Sequence, residues 1–232
     1  MLADTDAVVD TLRAAYGDQG VALVGHSWGA ALALLYTARH PEKVAAAVAV
    51  NPLIAPTESQ RAQLRFLREM AEQNDETELL RELARIGPPP FSGPDALHVE
   101  ELVGRYGGVF HQAPNFALAS LSAVVRGFVS PSEIVRIIRA NEAALAAMAD
   151  DLADLDLRDQ IETLDVPVLF LLGSHDRIRD PGIAQAFIEE LDAPVIANGA
   201  FMVLASIAQI RPASWSSKTC WSCGAPTPDR ST

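Results

Sequence analysis

Apolar positions in the first fifty residues follow two different spacings, one helical and one continuous. Residues 4–16 carry apolar side chains at the spacing of one helical face, and residues 28–40, which are rich in Ala and Leu and are followed by Pro41, also indicate a helix. The short runs at 21–24 and 44–50 are apolar throughout, which is typical of strands buried on both faces of a parallel sheet. This alternation of helix and strand predicts an α/β fold with crossover helices.

Between about residue 55 and residue 155 the pattern changes to charged, amphipathic helices. The α/β pattern then returns with an apolar run at 168–172 and a helix at 181–191. We expect a mostly parallel sheet with helices on both faces and a helical cap inserted over it. The predicted segments are 1–54, the first half of the core; 55–155, the cap; 156–194, the second half of the core; and 195–232, an atypical tail.

Charge and composition separate the tail from the rest of the chain. Residues 1–194 carry 15 basic and 29 acidic side chains, whereas residues 195–232 have a net charge of +2 and are rich in Ser, Thr, Pro and Cys. No clear periodicity continues past Ile210, so we expect disorder or poor packing in the tail. Its Cys220-Trp221-Ser222-Cys223 has the spacing of zinc and redox sites, but lacks further ligands nearby, and we interpret both cysteines as incidental.

The whole-chain charge and hydropathy exclude several classes of partner. A net charge of −12 argues against nucleic acid, which requires clustered Lys and Arg. No apolar run is long enough to cross a bilayer, and the first residues lack the pattern of a secretory signal. We therefore expect a cytoplasmic protein that acts on a small molecule or short peptide, without a membrane partner. The sequence specifies no oligomeric state.

Gly25-His26-Ser27-Trp28-Gly29 is the motif most indicative of chemistry. It fits the G-x-S-x-G nucleophile elbow, and it lies where a predicted strand turns into a predicted helix. A sharp turn there would expose the Ser27 hydroxyl, and both flanking glycines are expected to prevent collisions. The backbone N–H of Trp28, at the helix N-terminus, is a candidate donor to an oxyanion. The alternative is a serine in an ordinary strand–helix turn.

Asp176 is the second candidate, because Gly173-Ser174-His175-Asp176 directly follows the predicted strand at 168–172. Carboxyl ends of parallel strands meet at one edge of the sheet, so this acid should lie on the same edge as Ser27. It could orient a histidine base, and the order Ser before Asp suits this fold. A turn or helix-capping carboxylate is the alternative. We expect no metal and no cofactor.

Residues 1 to about 194 resemble the proline-iminopeptidase-like branch of the α/β hydrolases. The resemblance rests on the elbow, on Ala38-Arg39-His40-Pro41-Glu42-Lys43-Val44, Ile86-Gly87-Pro88-Pro89-Pro90, Arg105-Tyr106-Gly107-Gly108-Val109 and Leu164-Asp165-Val166-Pro167-Val168. It implies Ser/Asp/His hydrolysis of peptides with a small N-terminal residue, or of esters. Ser27 then matches the nucleophile and Asp176 the acid.

Two departures from that family bear on activity. Only 26 residues precede Ser27, so the strands and the His-Gly oxyanion loop of the family are missing and the sheet should be incomplete on that side. No histidine follows His175, although the family places its base shortly beyond the segment that matches Leu191–Pro194. We expect impaired hydrolysis. The alternatives are a non-catalytic protein that binds a small ligand and a degenerate fragment that folds poorly.

Overall fold

The computed structural model describes residues 1–91, 93–109 and 129–193, the single positions 125 and 127, and the backbone of two strands at 196–202 and 211–215. All structural statements below concern these residues. Among them, no helix combines the length and hydrophobicity that a membrane span requires.

A five-stranded sheet forms the centre of the protein. Its strands lie side by side in chain order: β1 (Val21–His26), β2 (Val44–Val50), β3 (Val168–Gly173), β4 (Ile196–Met202) and β5 (Arg211–Trp215). The first four strands are parallel, and β5 is antiparallel to β4. Because parallel neighbours share one polarity, the carboxyl ends of β1, β2 and β3 meet at the same edge of the sheet.

Eight α-helices lie within the described residues. They are α1 (Leu2–Tyr16), α2 (Trp28–Arg39), α3 (Pro56–Gln73), α4 (Thr77–Ile86), α5 (Gly93–Arg105), α6 (Pro131–Ala147), α7 (Ala149–Ala153) and α8 (Pro181–Glu190). Helices cover both faces of the sheet, as the pattern of the sequence predicts. The pattern missed α5, which begins at Gly93-Pro94, a pair that is typical of turns and loops.

The main hydrophobic core lies between the sheet and its helices. Leu34 of α2 and Phe170 of β3 are fully buried there, and Phe170 contacts Phe187 of α8 edge to face with ring centroids 6.3 Å apart. Strand β2 contains four alanines, and small side chains at its centre leave room for the larger residues of β3 and α2.

A second, separate core joins helices α3, α4 and α5. Leu67, Leu83 and Leu102 are almost completely buried in it. We call these three helices the helical unit. They lie within the segment predicted as the cap, and the predicted limits of that cap and of the other segments stay predictions.

Strand β1 differs from its prediction because it lies at the edge of the sheet. Its side chains alternate between half-buried and exposed, and Val24 is 74% exposed, whereas the apolar run predicted burial on both faces. Val21 and Leu23 pack on one side against the cluster that includes Val9 of α1. The residues on the other face of β1, Ala22, Val24 and His26, are exposed.

Two segments of the tail form strands, and the prediction of disorder or poor packing for the tail as a whole stays a prediction. Residues 196–202 form β4 and pair with β3, and residues 211–215 form β5. The edge of β3 offers backbone donors and acceptors that a strand can satisfy whatever its composition, so composition was a poor guide here. The other tail residues, Cys220 and Cys223 among them, lie outside the described residues.

Candidate active site

Ser27 occupies a sharp turn between β1 and α2. Its φ of 54° and ψ of −118° are unfavourable for a residue with a side chain. The turn is held from both sides: the Ser27 N–H donates to the Val50 carbonyl at 2.9 Å, and the Ser27 carbonyl accepts from the N–H of Leu53 at 3.2 Å. Val50, the last residue of β2, and Leu53, which follows that strand, therefore hold Ser27 in the strained conformation that the motif predicts.

The two glycines that flank Ser27 are not equivalent. A Cβ on Gly25 would lie 2.2 Å from the carbonyl oxygen of Gly29, so only glycine fits there. A Cβ on Gly29 would have no atom within 4 Å outside its own helix. The expected need for both glycines is thus wrong for Gly29, because the crowded side of the turn is the strand side.

Trp28 is the first residue of α2, and its backbone N–H has no acceptor within the helix. The positive end of the helix dipole is concentrated at this position. The indole is half-buried, and its Nε1 is buried without a hydrogen-bond partner among the described residues. Trp28 thus combines the predicted oxyanion donor with an apolar wall next to Ser27.

Asp176 lies in the turn that follows β3, as predicted. The start of the turn is tied to β2, because the Gly173 N–H donates to Asn51 Oδ1 at 2.7 Å. The Asp176 carboxylate accepts the backbone N–H groups of Ile178 and Arg179, each at 2.9 Å. Burial raises the pKa of Asp176 above its ordinary value, although these two N–H groups and the Arg179 charge oppose the rise.

The structure joins Ser27 to the Asp176 turn through Arg179, which the sequence did not single out. Arg179 Nε donates to Ser27 Oγ at 3.0 Å, and its Nη1 donates to Glu100 Oε1 on α5 at 2.9 Å. The same Nη1 also donates to the Ile178 carbonyl at 3.1 Å. The Arg179 side chain is only 15% exposed. A cation therefore stands beside the candidate nucleophile, held by the helical unit and by its own loop.

A cavity of about 160 Å³ lies between the sheet and the helices above it, bordered by both Trp28 and Arg179. Most of its lining is apolar, and Glu100 and Arg179 are the charged side chains in it. The apolar lining includes Leu53, Phe91, Ala144, Met148 and Leu152. Ser27 does not line this cavity, but its neighbours Trp28 and Arg179 do, so a small apolar group bound there would lie beside the Ser27 turn.

No described histidine is hydrogen-bonded to Ser27 Oγ or to the Asp176 carboxylate. His26 is exposed at the end of β1, where its charge would act on Asp176 over a distance. The His175 ring bonds the hydroxyl of its neighbour Ser174, with 2.9 Å between Nδ1 and Oγ. The described residues thus contain the nucleophile and the acid of the predicted site without a base between them.

His40 and His98, the other histidines that the structure describes, do not approach this site, and the described residues form no metal site. His40 ends α2 and lies against the ring of Tyr36, and His98 of α5 bonds Glu82. His111 lies outside the described residues. Within the described part of the chain, no three or more His, Cys, Asp or Glu side chains come together as metal ligands.

Comparison with known proteins finds similarity to one family and to one curated protein. Residues 2–92 match the model of the alpha/beta hydrolase fold family. Over 198 residues the chain is 23% identical to the Bacillus subtilis (strain 168) protein named "Probable aminopeptidase YbaC", covering 82% of this chain and 61% of that protein. The chain thus spans about three fifths of the length of this relative.

One solved structure supports the fold, and a second one aligns more weakly. The crystal structure of VinJ aligns with a TM-score of 0.52 at 18% identity, over 84% of this chain and 62% of VinJ. The proline iminopeptidase of Mycobacterium smegmatis aligns with a TM-score of 0.48 at 16% identity, over 88% of this chain and 63% of that one. The parallel sheet, its flanking helices and the alignment with VinJ show that this chain has the α/β-hydrolase fold, and the model of that fold family matches its residues 2–92.

Proposed function

We propose that this protein is a metal-free serine hydrolase in which Ser27 attacks the carbonyl group of a small ester or of the N-terminal residue of a short peptide. The observation that carries the proposal is the strained turn of Ser27 at the junction of β1 and α2, next to a largely apolar cavity. The relative named as an aminopeptidase supports the peptide class, and the small cavity supports a small acyl group.

The proposed reaction begins when Ser27 Oγ forms a bond to the carbonyl carbon and the π electrons move onto the carbonyl oxygen. The Trp28 N–H and the positive end of α2 stabilise that oxyanion. When the carbonyl re-forms, the bond to the leaving alcohol or amine breaks, and the leaving group takes a proton from water. Water then hydrolyses the acyl-enzyme and regenerates the serine hydroxyl.

The proton of the Ser27 hydroxyl is the weak point of this reaction. No described histidine reaches Oγ, so the proton passes to solvent and attack is slow near neutral pH. In subtilisin, removing the base lowers turnover by a factor on the order of 10⁶. We therefore propose that hydrolysis by this chain is strongly impaired, while Ser27 stays accessible to reactive acylating agents.

A fluorophosphonate probe and p-nitrophenyl acetate test this proposal. We expect slow covalent labelling at Ser27, located by peptide mass spectrometry, and a slow burst of p-nitrophenol that Ser27→Ala abolishes. Ser174→Ala is the matched control, since Ser174 lies in the neighbouring turn and bonds only His175 among the described residues. Labelling at another residue, together with an unchanged burst in Ser27→Ala, would refute the proposal.

A non-catalytic ligand-binding protein is the second candidate, favoured by the apolar cavity and by the lack of a histidine at Ser27 among the described residues. Indole is a suitable probe because of its size and apolar rings. If indole raises the Tm equally in wild type and in Ser27→Ala, and neither protein is labelled or releases p-nitrophenol, binding is the function. Loss of ester turnover in Ser27→Ala excludes this candidate.

A further inference from the structure

Arg179 contacts the two places where a hydrolytic reaction would develop charge. Its Nε lies 3.0 Å from Ser27 Oγ, and the side chain also borders the cavity from which a carbonyl group would approach. After attack, the oxyanion is attached to the carbon that is bonded to Oγ, so it forms within reach of a donor that already bonds Oγ. A guanidinium has five N–H donors and keeps its charge at every pH of interest.

We propose that Arg179 is a second oxyanion donor, which acts with the Trp28 N–H to stabilise negative charge on a tetrahedral adduct of Ser27. This inference rests on the proposed function of Ser27 and extends it. The turn that follows β3 thus contributes a cation, Arg179, in addition to the acid that the sequence predicted there, Asp176.

The Arg179 side chain is held in place before any ligand binds, which is what stabilisation of a transient charge requires. The Asp176 carboxylate accepts the Arg179 backbone N–H at 2.9 Å and thereby fixes the loop. Nη1 is bound to Glu100 and to the Ile178 carbonyl, whereas Nη2 has no partner among the described residues. One end of the guanidinium is therefore anchored, and the other retains donors for an oxyanion.

Glu100 balances the charge of Arg179 and has no hydrogen bond to Ser27. Its carboxylate neutralises the Arg179 charge from α5, across the cavity, and both side chains are mostly buried. Charges interact more strongly in a buried site than in water, because the effective dielectric constant is lower there. Removing the Glu100 charge should therefore leave the Arg179 charge balanced only by the Asp176 carboxylate and favour an anion on Ser27.

The opposite role for Arg179 is inhibition. A donor bound to the resting hydroxyl occupies a lone pair that attack requires, so Arg179 could hold Ser27 in an unreactive state. The two roles predict opposite effects of removing the guanidinium, and a reagent that forms a stable anionic adduct separates them.

Phenylboronic acid is that reagent. The Ser27 oxygen donates an electron pair to boron, one B–O bond forms, the hydroxyl proton passes to the buffer, and boron becomes a tetrahedral anion. We would measure Kd by titration calorimetry and the tetrahedral species by ¹¹B NMR. Arg179→Gln should raise Kd at least tenfold, Arg179→Lys should raise it less, and Glu100→Gln should lower it about twofold or more.

Arg177→Gln is the matched control, because Arg177 is on the same turn but lies 6.0 Å over the ring of Phe66. Its Kd should equal that of wild type. A Kd for Arg179→Gln equal to or lower than that of wild type would overturn the inference and assign Arg179 to inhibition. If Arg179→Gln does not fold, Glu100→Gln decides, and a raised Kd there overturns the inference.

Ser27→Ala separates this inference from the proposed function. Loss of the tetrahedral ¹¹B signal in Ser27→Ala, with the signal present in wild type, supports the nucleophile. If wild type gives no such signal, or if Ser27→Ala keeps it, the proposed function fails and the inference fails with it. If the signal requires Ser27 but Kd does not respond to Arg179→Gln, only the role of Arg179 fails.

Discussion

Two arginines, Arg158 and Arg179, tie the helical unit to the loops around the sheet, yet their partners differ in kind. Arg158 Nη2 donates to Glu58 of α3 at 2.7 Å and to Asp156 at 2.6 Å, so its charge meets two carboxylates. Arg179 meets one carboxylate, and its Nε is bonded to the hydroxyl of Ser27. The first arrangement joins two layers of the fold, whereas the second points a charge at a candidate reacting group.

The regions around Arg158 and around Arg179 also differ in the direction in which the pKa of their aspartate is shifted. Burial acts to raise the pKa of Asp156, but the hydrogen bonds and charge of Arg158 outweigh it and hold that pKa below its ordinary value. At Asp176 burial prevails, and the pKa lies above its ordinary value. The surroundings of Asp156 favour its ionised carboxylate, whereas those of Asp176 disfavour it. A shifted pKa caused by burial next to a specific charge is typical of functional sites.

Backbone strain separates the two regions in the same way. Ser27 and Asn51, at the carboxyl ends of β1 and β2, have positive φ values of 54° and 42°. Asp156, in contrast, has an extended backbone and caps a short 3₁₀ turn with its side chain. Strained residues persist only where the surrounding structure holds them, and here both lie beside the candidate active site.

The largest expected effect comes from adding one methyl group to the strained region. Gly25→Ala would place a Cβ 2.2 Å from the Gly29 carbonyl oxygen, so the turn must move. We expect a loss of at least about 3 kcal/mol in the free energy of unfolding, measured by urea denaturation.

Gly29→Ala is the matched control for this change. Its Cβ would meet no atom within 4 Å outside the helix, and alanine favours helix, so stability should change by less than about 1 kcal/mol. Equal losses in both variants would show that the crowding is not confined to the strand side.

Removing the charge of Arg158, which joins α3 to the Asp156 loop, should reduce the free energy of unfolding by a smaller amount. Arg158→Met leaves Glu58 and Asp156 without their shared cation, and we expect a loss of about 1–3 kcal/mol at pH 7 by urea denaturation. Because the folded pKa of Asp156 is lowered, its contribution is present above the unfolded pKa and lost as pH falls through the folded pKa. A loss that stays the same well below pH 3.8 would contradict this account.

The smallest expected effect has the opposite sign. Asp176→Asn can accept the same two backbone N–H groups without burying a charge, so we expect a gain of about 0.5–1 kcal/mol at pH 7. A raised folded pKa means that the wild type is relatively most stable below the unfolded pKa and loses stability as pH rises through the folded value. The gain should therefore vanish below about pH 3.8. Destabilisation at pH 7 would show that charge attraction to Arg179 exceeds the cost of burial.

The sequence predicted the elements whose signals are local. Apolar runs located β1, β2 and β3 to within two residues, and helical periodicity located α2 and α8. It missed α5, because the start of that helix resembles a turn, and it missed β4 and β5, because their pairing depends on an edge supplied by β3. Local periodicity indicates the secondary structure that a segment favours by itself, but it does not show which strand edge will be available for pairing.

By itself the sequence determined that Ser27 lies in a strand-to-helix turn and that Asp176 follows a strand on the same edge, since both depend on a few adjacent residues. Only the tertiary structure decided that Arg179 donates to a hydroxyl 152 positions earlier in the chain, and that Glu100 of a different helix balances its charge. It also decided that Gly25 must be glycine while Gly29 need not be. The physical reason is distance: conformation can be specified within a short segment, whereas contacts and crowding depend on what the folded chain brings near.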